Sequence, residues 1–245
     1  MPNASFDFAG STIIVTGAGR GIGLELSRAF AQAGGEVFMV DADASVIEEA
    51  AADAGGHPVV ADVTSSEDVE RVVAQAIEQT GRIDVLVNNA GLLRDKVVWK
   101  IEDADWNLVV DVSLGGTFRF TRACVPHFRK QSFGRIVNVT SYTGLHGNIG
   151  QSSYAAAKSG VIGFTKTVAK ELAGFGVTVN AISPNAQTRM IDSIPEPQLS
   201  AITALIPLGR FAAPSEIAAG VMFLSTEEAG YITGTVFPID GGVSM

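Results

Sequence analysis

Thr16-Gly17-Ala18-Gly19-Arg20-Gly21-Ile22-Gly23 closes an apolar run that begins at Ser11 and opens a helical pattern that reaches Ala33. Glycines at 17, 21 and 23 let the backbone turn sharply out of a strand and pack closely at the start of a helix. The order strand, glycine turn, helix is the first half of a βαβ unit, and it sets the frame for the rest of the chain.

Working outward, the same rhythm repeats. Strands are predicted at Ser11 to Thr16, Glu36 to Asp41, Pro58 to Ala61, Ile83 to Asn88, Gly134 to Thr140, Val177 to Ala181 and Thr235 to Ile239. Helical patterns fill the gaps at Ile22 to Ala33, Ser45 to Ala54, Ser66 to Gln79, Asp103 to Lys130, Ser152 to Gly174 and Pro214 to Ser225. Unbroken apolar strands such as Val85-Leu86-Val87 require cover on both faces. The predicted fold class is therefore α/β, a doubly wound parallel sheet of about seven strands with helices on both sides. One domain is expected over residues 1–245, with no linker or repeat. Within it, Pro195, Pro197 and Pro207 break helix continuity over 189–208, a segment expected to cover the substrate.

The balance of 17 basic against 26 acidic residues gives a net charge of -9, which repels polyanions and argues against nucleic acid or an anionic membrane as partner. The single cysteine, Cys124, excludes an intrachain disulfide and reads as a small buried apolar residue. No apolar run is long enough to span a membrane, no signal segment is visible and no His/Asp/Glu cluster has metal-ligand spacing. A soluble, cytoplasmic protein without a catalytic metal is expected.

A glycine turn entering a helix turns backbone N–H groups and the positive helix end outward, which suits a diphosphate. Asp41 ends the next strand, where a carboxylate accepts hydrogen bonds from both hydroxyls of a ribose and repels a 2'-phosphate. A Rossmann-type dinucleotide site follows, with NAD favoured. Arg20 is the opposing signal, because a guanidinium in the turn can hold a 2'-phosphate, so NADP stays open. Asp43 competes with Asp41 for the ribose or for the helix cap.

Tyr154 and Lys158 fall at i and i+4 of a helix and so share one face. A phenol is a poor base at neutral pH, but an ammonium beside it and the positive nicotinamide stabilise the phenolate and are expected to lower its pKa. Ser141, just past a strand, is placed to hydrogen-bond the reacting oxygen. His146 reads as an exposed loop histidine, and Trp99 and Trp106 as packing or interface residues.

With the glycine turn, Asn88-Asn89-Ala90-Gly91, Ser141 and the Tyr154/Lys158 pair in this order, the chain resembles the short-chain dehydrogenase/reductase family over its whole length. The resemblance implies Ser141, Tyr154 and Lys158 as the catalytic set, with Lys158 also on the nicotinamide ribose. It implies Asp62 and Val63 on the adenine side of the cofactor and Asn88 to Gly91 beside it. Thr188 matches a carboxamide contact, and Asp240-Gly241-Gly242 a C-terminal turn. Two departures stand out. Ser113 occupies the position of an asparagine that joins a water-mediated proton relay to the lysine, and the relay is expected to survive through water. Pro184-Asn185 replaces Pro-Gly, in a stretch one residue shorter than usual.

Asn88 to Asp95, Gly144 to Lys158 and Asn180 to Met190 resemble two groups, the bacterial 3-oxoacyl-carrier-protein reductases and the (R)-3-hydroxyacyl-CoA dehydrogenase unit of multifunctional β-oxidation enzymes. The Pro-Asn stretch and Asp41 lean toward the second. The expected reaction is interconversion of 3-hydroxyacyl and 3-oxoacyl thioesters. The alternatives are a dehydrogenase of a small secondary alcohol, polyol or sterol, and a cofactor-binding protein without turnover. Arg119, Arg122, Arg129, Lys130 and Arg135 form either a docking face for an anionic carrier or a solvated helix end. The resemblance also implies a homotetramer built on the long helices.

Overall fold

The computed structural model describes residues 4–187, 191 and 195–245. Thr188, and the rest of 188–190 and 192–194, lie outside the described residues. Seven parallel strands form one sheet in the order β3-β2-β1-β4-β5-β6-β7. They are β1 Thr12–Thr16, β2 Glu36–Asp41, β3 His57–Val60, β4 Val85–Asn88, β5 Gly134–Val139, β6 Val177–Pro184 and β7 Val236–Ile239. Helices α1 Gly21–Gln32, α2 Ala44–Ala54, α3 Ser66–Thr80, α4 Asp103–Val110, α5 Gly116–Gln131, α6 Tyr142–His146, α7 Ser152–Leu172, α8 Gln198–Thr203 and α9 Pro214–Leu224 connect them.

All five residues of β1 are buried, because consecutive side chains enter opposite cores. Ile13 and Val15 join Leu26, Phe30, Ile217 and Val221 on one side of the sheet. Ile14 joins Val72, Phe120, Phe128 and Leu172 on the other. The expectation of cover on both faces therefore holds. Cys124 lies in the second core, where burial pushes its thiol well above the ordinary range. No helix among the described residues is long and apolar enough to cross a membrane.

Three features depart from the elements predicted. The stretch Asp103 to Lys130 is not one regular helix: a π-helical turn, Asp111–Gly115, joins α4 to α5. Strand β6 runs on to Pro184, because Ile182, Ser183 and Pro184 pair with Phe237, Pro238 and Ile239 of β7. The short helices α6 and α8 were not foreseen; α8 lies within the segment 189–208.

β1 pairs with both β2 and β4, so the chain leaves the sheet in opposite directions on either side of this seam. The carboxyl ends of β1 and β4 thus border the crevice where open α/β sheets bind ligands.

Candidate active site

The glycine turn is fixed to β4 by Asn89. Its Nδ2 donates to the carbonyls of Thr16 and Gly17 at 2.9 and 3.0 Å, and the Thr16 hydroxyl accepts from the N–H groups of Asn89 and Ala90, both at 3.0 Å. A Cβ on Gly17 would lie 2.9 Å from Ala90 Cα, and one on Gly23 only 2.2 Å from the Gly17 carbonyl oxygen. Gly17 and Gly21 also have φ of +62° and +55°, which a side chain disfavours. Helix α1 opens without a side-chain cap, leaving its first N–H groups for an external acceptor. This donor set, with Ile22 in the first turn, fits a dinucleotide diphosphate.

Asp41 stands at the rim of the turn. Its carboxylate accepts from the N–H of Gly19 and of Asp43, each at 3.1 Å. Arg20 points instead to Asp43, with which it forms an ion pair at 2.5 Å. Asp43 occupies the N-cap position of α2 and is held below the usual carboxylate range, chiefly by a hydrogen bond from Ser45. Asp43 makes no side-chain cap hydrogen bond to α2. Asp62 accepts from the Thr64 N–H and hydroxyl at 2.8 Å, shaping the turn after β3, while Val63 packs where a Cβ on Gly116 of α5 would fall.

Across the crevice, Ser141 caps α6, its Oγ accepting from the Thr143 N–H at 3.2 Å. It also hydrogen-bonds Tyr154. Tyr154 and Lys158 share one face of α7, the Lys158 Nζ 5.7 Å from the tyrosine ring centroid. That ammonium is buried and donates to the Val139 carbonyl at 2.6 Å. The Thr140 hydroxyl donates to the Lys158 carbonyl at 2.7 Å, and Gly144 lets α6 approach, since a Cβ there would meet Lys158 Cβ at 2.8 Å. β5, α6 and α7 therefore converge on the pair.

The electrostatics correct one expectation. The protein groups push the Tyr154 phenol up, not down: burial raises it most, the Ser141 hydrogen bond opposes, and the Asp95 charge raises it further. Lys158 gives little relief because its ammonium is turned to Val139 and is itself pushed down to about 8 by burial.

Ser113 sits in the π turn, fully buried, and its Oγ has no hydrogen-bond partner among the described residues. A Cβ on Gly91 would lie 3.4 Å from both Ser113 Oγ and Lys158 Nζ, so the two polar groups face the same small space. The Ser113 carbonyl accepts from the Thr117 hydroxyl at 2.9 Å. Beneath the site runs a buried polar ladder that the sequence did not reveal. Asn88 Nδ2 donates to Asn138 Oδ1 at 2.8 Å, and Asn138 Nδ2 to Thr165 Oγ1 at 2.9 Å. Gln151, the N-cap residue of α7 three residues before Tyr154, was missed, and Asp95, its partner, carries no sequence signal of its own. Pro184 closes β6 half-buried.

His146 is exposed as expected, but it ends helix α6 rather than lying in a loop, its ring 4.6 Å from that of Tyr142. The basic cluster is dispersed. Arg135 is buried and donates to the carbonyls of Thr226, Gly134 and Gly176, and Arg119 pairs with Asp111 at 2.6 Å. Arg122 lies over Phe118 and Arg129 over Phe175, so the helix end presents less free charge than the sequence suggested.

A family model described as enoyl-(acyl carrier protein) reductase matches residues 17–244. The 3-oxoacyl-[acyl-carrier-protein] reductase FabG of Thermotoga maritima is 42% identical over 96% of this chain and 98% of its own length. A 3-oxoacyl-[acyl-carrier-protein] reductase of Synechocystis sp. is 44% identical over 95% and 96%. The chain is a short-chain dehydrogenase/reductase. It is thus an NAD(P)-dependent oxidoreductase. Another relative of this family, the short-chain reductase protein NovJ of Streptomyces niveus, is 42% identical over 95% of this chain and 93% of its own.

Proposed function

We propose that this short-chain dehydrogenase/reductase reduces 3-oxoacyl thioesters to 3-hydroxyacyl thioesters, with Tyr154 as proton donor and NADH as preferred cofactor. The observation that carries the reading is the convergence of Ser141, Tyr154 and the buried Lys158 from the end of β5, α6 and α7, with Lys158 Nζ beside Gly91 of the loop that follows β4. A nicotinamide dinucleotide supplies the hydride when bound. Ser141 orients the carbonyl oxygen, and Tyr154 gives its proton to that oxygen as negative charge develops there. Lys158, whose Nζ lies beside Gly91, would reach the nicotinamide ribose. Gly17, Gly21, Ile22 and Gly23 would receive the diphosphate, and Asn89, Ala90 and Gly91 would wall the nicotinamide side.

The printed names of the 3-oxoacyl reductases above support an acyl thioester carried on CoA or carrier protein, and favour the first of the two groups the sequence resembles. Asp41 supports NAD, since its carboxylate lies against Gly19 while Arg20 is engaged by Asp43. The test is the initial rate of acetoacetyl-CoA reduction with NADH and with NADPH, with crotonyl-CoA as the enoyl control. Turnover of acetoacetyl-CoA with NADH, lost by at least about 100-fold in Tyr154→Phe, is expected. Reduction of crotonyl-CoA alone overturns the carbonyl reading, and a strong NADPH preference overturns the role of Asp41.

A further inference from the structure

We propose that Asp95 is a positioning residue for Tyr154: by accepting from Gln151 it locks the loop after β4 to the start of α7, the helix that carries the phenol. The inference rests on Tyr154 as acid/base of the site. Gln151 Nε2 donates to Asp95 Oδ2 at 2.8 Å, and Gln151 Oε1 accepts from Thr143 Oγ1 at 2.9 Å and Asn148 Nδ2 at 3.1 Å. Alongside, the Lys96 N–H donates to the Gly150 carbonyl at 2.9 Å and Lys96 bridges to Gln151 in parallel. One glutamine thus joins three pieces of chain: the loop bearing Asp95, the α6–α7 turn, and the helix whose next turn carries Tyr154.

The other charged groups near the tyrosine are engaged elsewhere. Lys158, on the same helix, is turned to the Val139 carbonyl. On the loop, Arg94 and Lys96 both face Asp105, at 3.7 and 2.8 Å. On α6, His146 lies against the Tyr142 ring. The Asp95 carboxylate meanwhile raises the phenol, after burial the main protein group doing so.

Three variants separate charge from clamp. Asp95→Asn keeps an oxygen for Gln151 but removes the charge, Asp95→Ala removes both, and Gln151→Glu adds a second charge beside Asp95. Asp95 is exposed, so its removal opens no cavity in the core. The chain has three tyrosines, so subtracting the ultraviolet titration of a Tyr154→Phe background isolates the phenol. Asp95→Asn should titrate at lower pH than the parent and Gln151→Glu at higher pH, with both displacements shrinking at about 1 M salt because exposed charges are screened. The basic limb of the reductive rate should move in the same directions. Asp95→Ala should raise the KM for acetoacetyl-CoA by roughly three- to tenfold, against less than about twofold for Asp95→Asn, as expected for loss of one charge-assisted hydrogen bond. Phenol titrations and KM values that coincide in the parent, Asp95→Asn and Asp95→Ala overturn the proposal. The titration needs no turnover, so a parent chain inert toward acetoacetyl-CoA would sink the reading of the reaction and leave this test standing.

Discussion

Lys158 shows what burying an ammonium costs. Its ammonium is fully enclosed, with one carbonyl acceptor, and burial alone brings its pKa down to about 8 from 10.5. The folded protein therefore holds this proton less tightly than the unfolded chain, and between about pH 8 and 10.5 folding stability rises with pH as the unfolded state binds the extra proton. Below that window the buried charge costs on the order of 3 kcal/mol. Lys158→Met removes the cost and leaves the Val139 carbonyl unpaired, a penalty independent of pH. Melting temperatures of the two proteins at pH 7 and pH 10 should show the variant losing ground to the parent as pH rises; a constant gap refutes the desolvation account. Ser113 is the second test at this scale. If water in the space shared with Lys158 completes the relay, Ser113→Asn should leave turnover within about tenfold of the parent, whereas a tenfold rise marks an impaired natural relay. Tyr154 and Lys158 were legible because a four-residue spacing is a local property of a helix. The direction of the Tyr154 shift was not, because burial and Asp95 reach the phenol from distant parts of the chain.

At the scale of elements, the glycine turn is the most exacting piece. Adding a methyl at Gly23 would place carbon 2.2 Å from the Gly17 carbonyl oxygen, a clash that moves either the turn or α1. Gly23→Ala should weaken NADH binding at least about tenfold by fluorescence titration while acting little on α9, on the far side of α1; unchanged affinity would show that the turn tolerates the shift. The turn was readable because three glycines between an apolar strand and a helix have few other uses. The π turn Asp111–Gly115 was not, since the residues Asp111-Val112-Ser113-Leu114 fit a regular helix equally well. What selects the wider turn is tertiary: Leu114 occupies the space left by Gly160 of α7, and the Thr117 hydroxyl takes up the Ser113 carbonyl. α6 was missed for a similar reason. Five residues carry too little periodicity, and its start is fixed by the Ser141 cap and by the close approach of Gly144 to α7.

For the whole molecule, the outer faces of the long helices raise the question of assembly. Trp106 and Leu108 on α4 are each 39% exposed and Phe118 on α5 is 43% exposed, with Arg122 lying over its ring and Phe164 of α7 edge-on at 6.5 Å. Exposed large apolar side chains lose contact with water when a second copy covers them. We therefore expect a homotetramer in which α4, α5 and α7 pack against their symmetry mates. Closed symmetry would place each exposed Phe118 in an environment repeated in every subunit, so one substitution acts on all copies of the contact at once. Phe118→Glu inserts a charge that is solvated in the monomer and desolvated in the assembly, so it should penalise association and leave the fold of each subunit intact. Light scattering should give a mass near four times 25.5 kDa for the parent and a smaller species for the variant, with circular dichroism unchanged. A parent that scatters as a single 25.5 kDa species refutes the tetramer, and a variant that stays tetrameric moves the contact off this face.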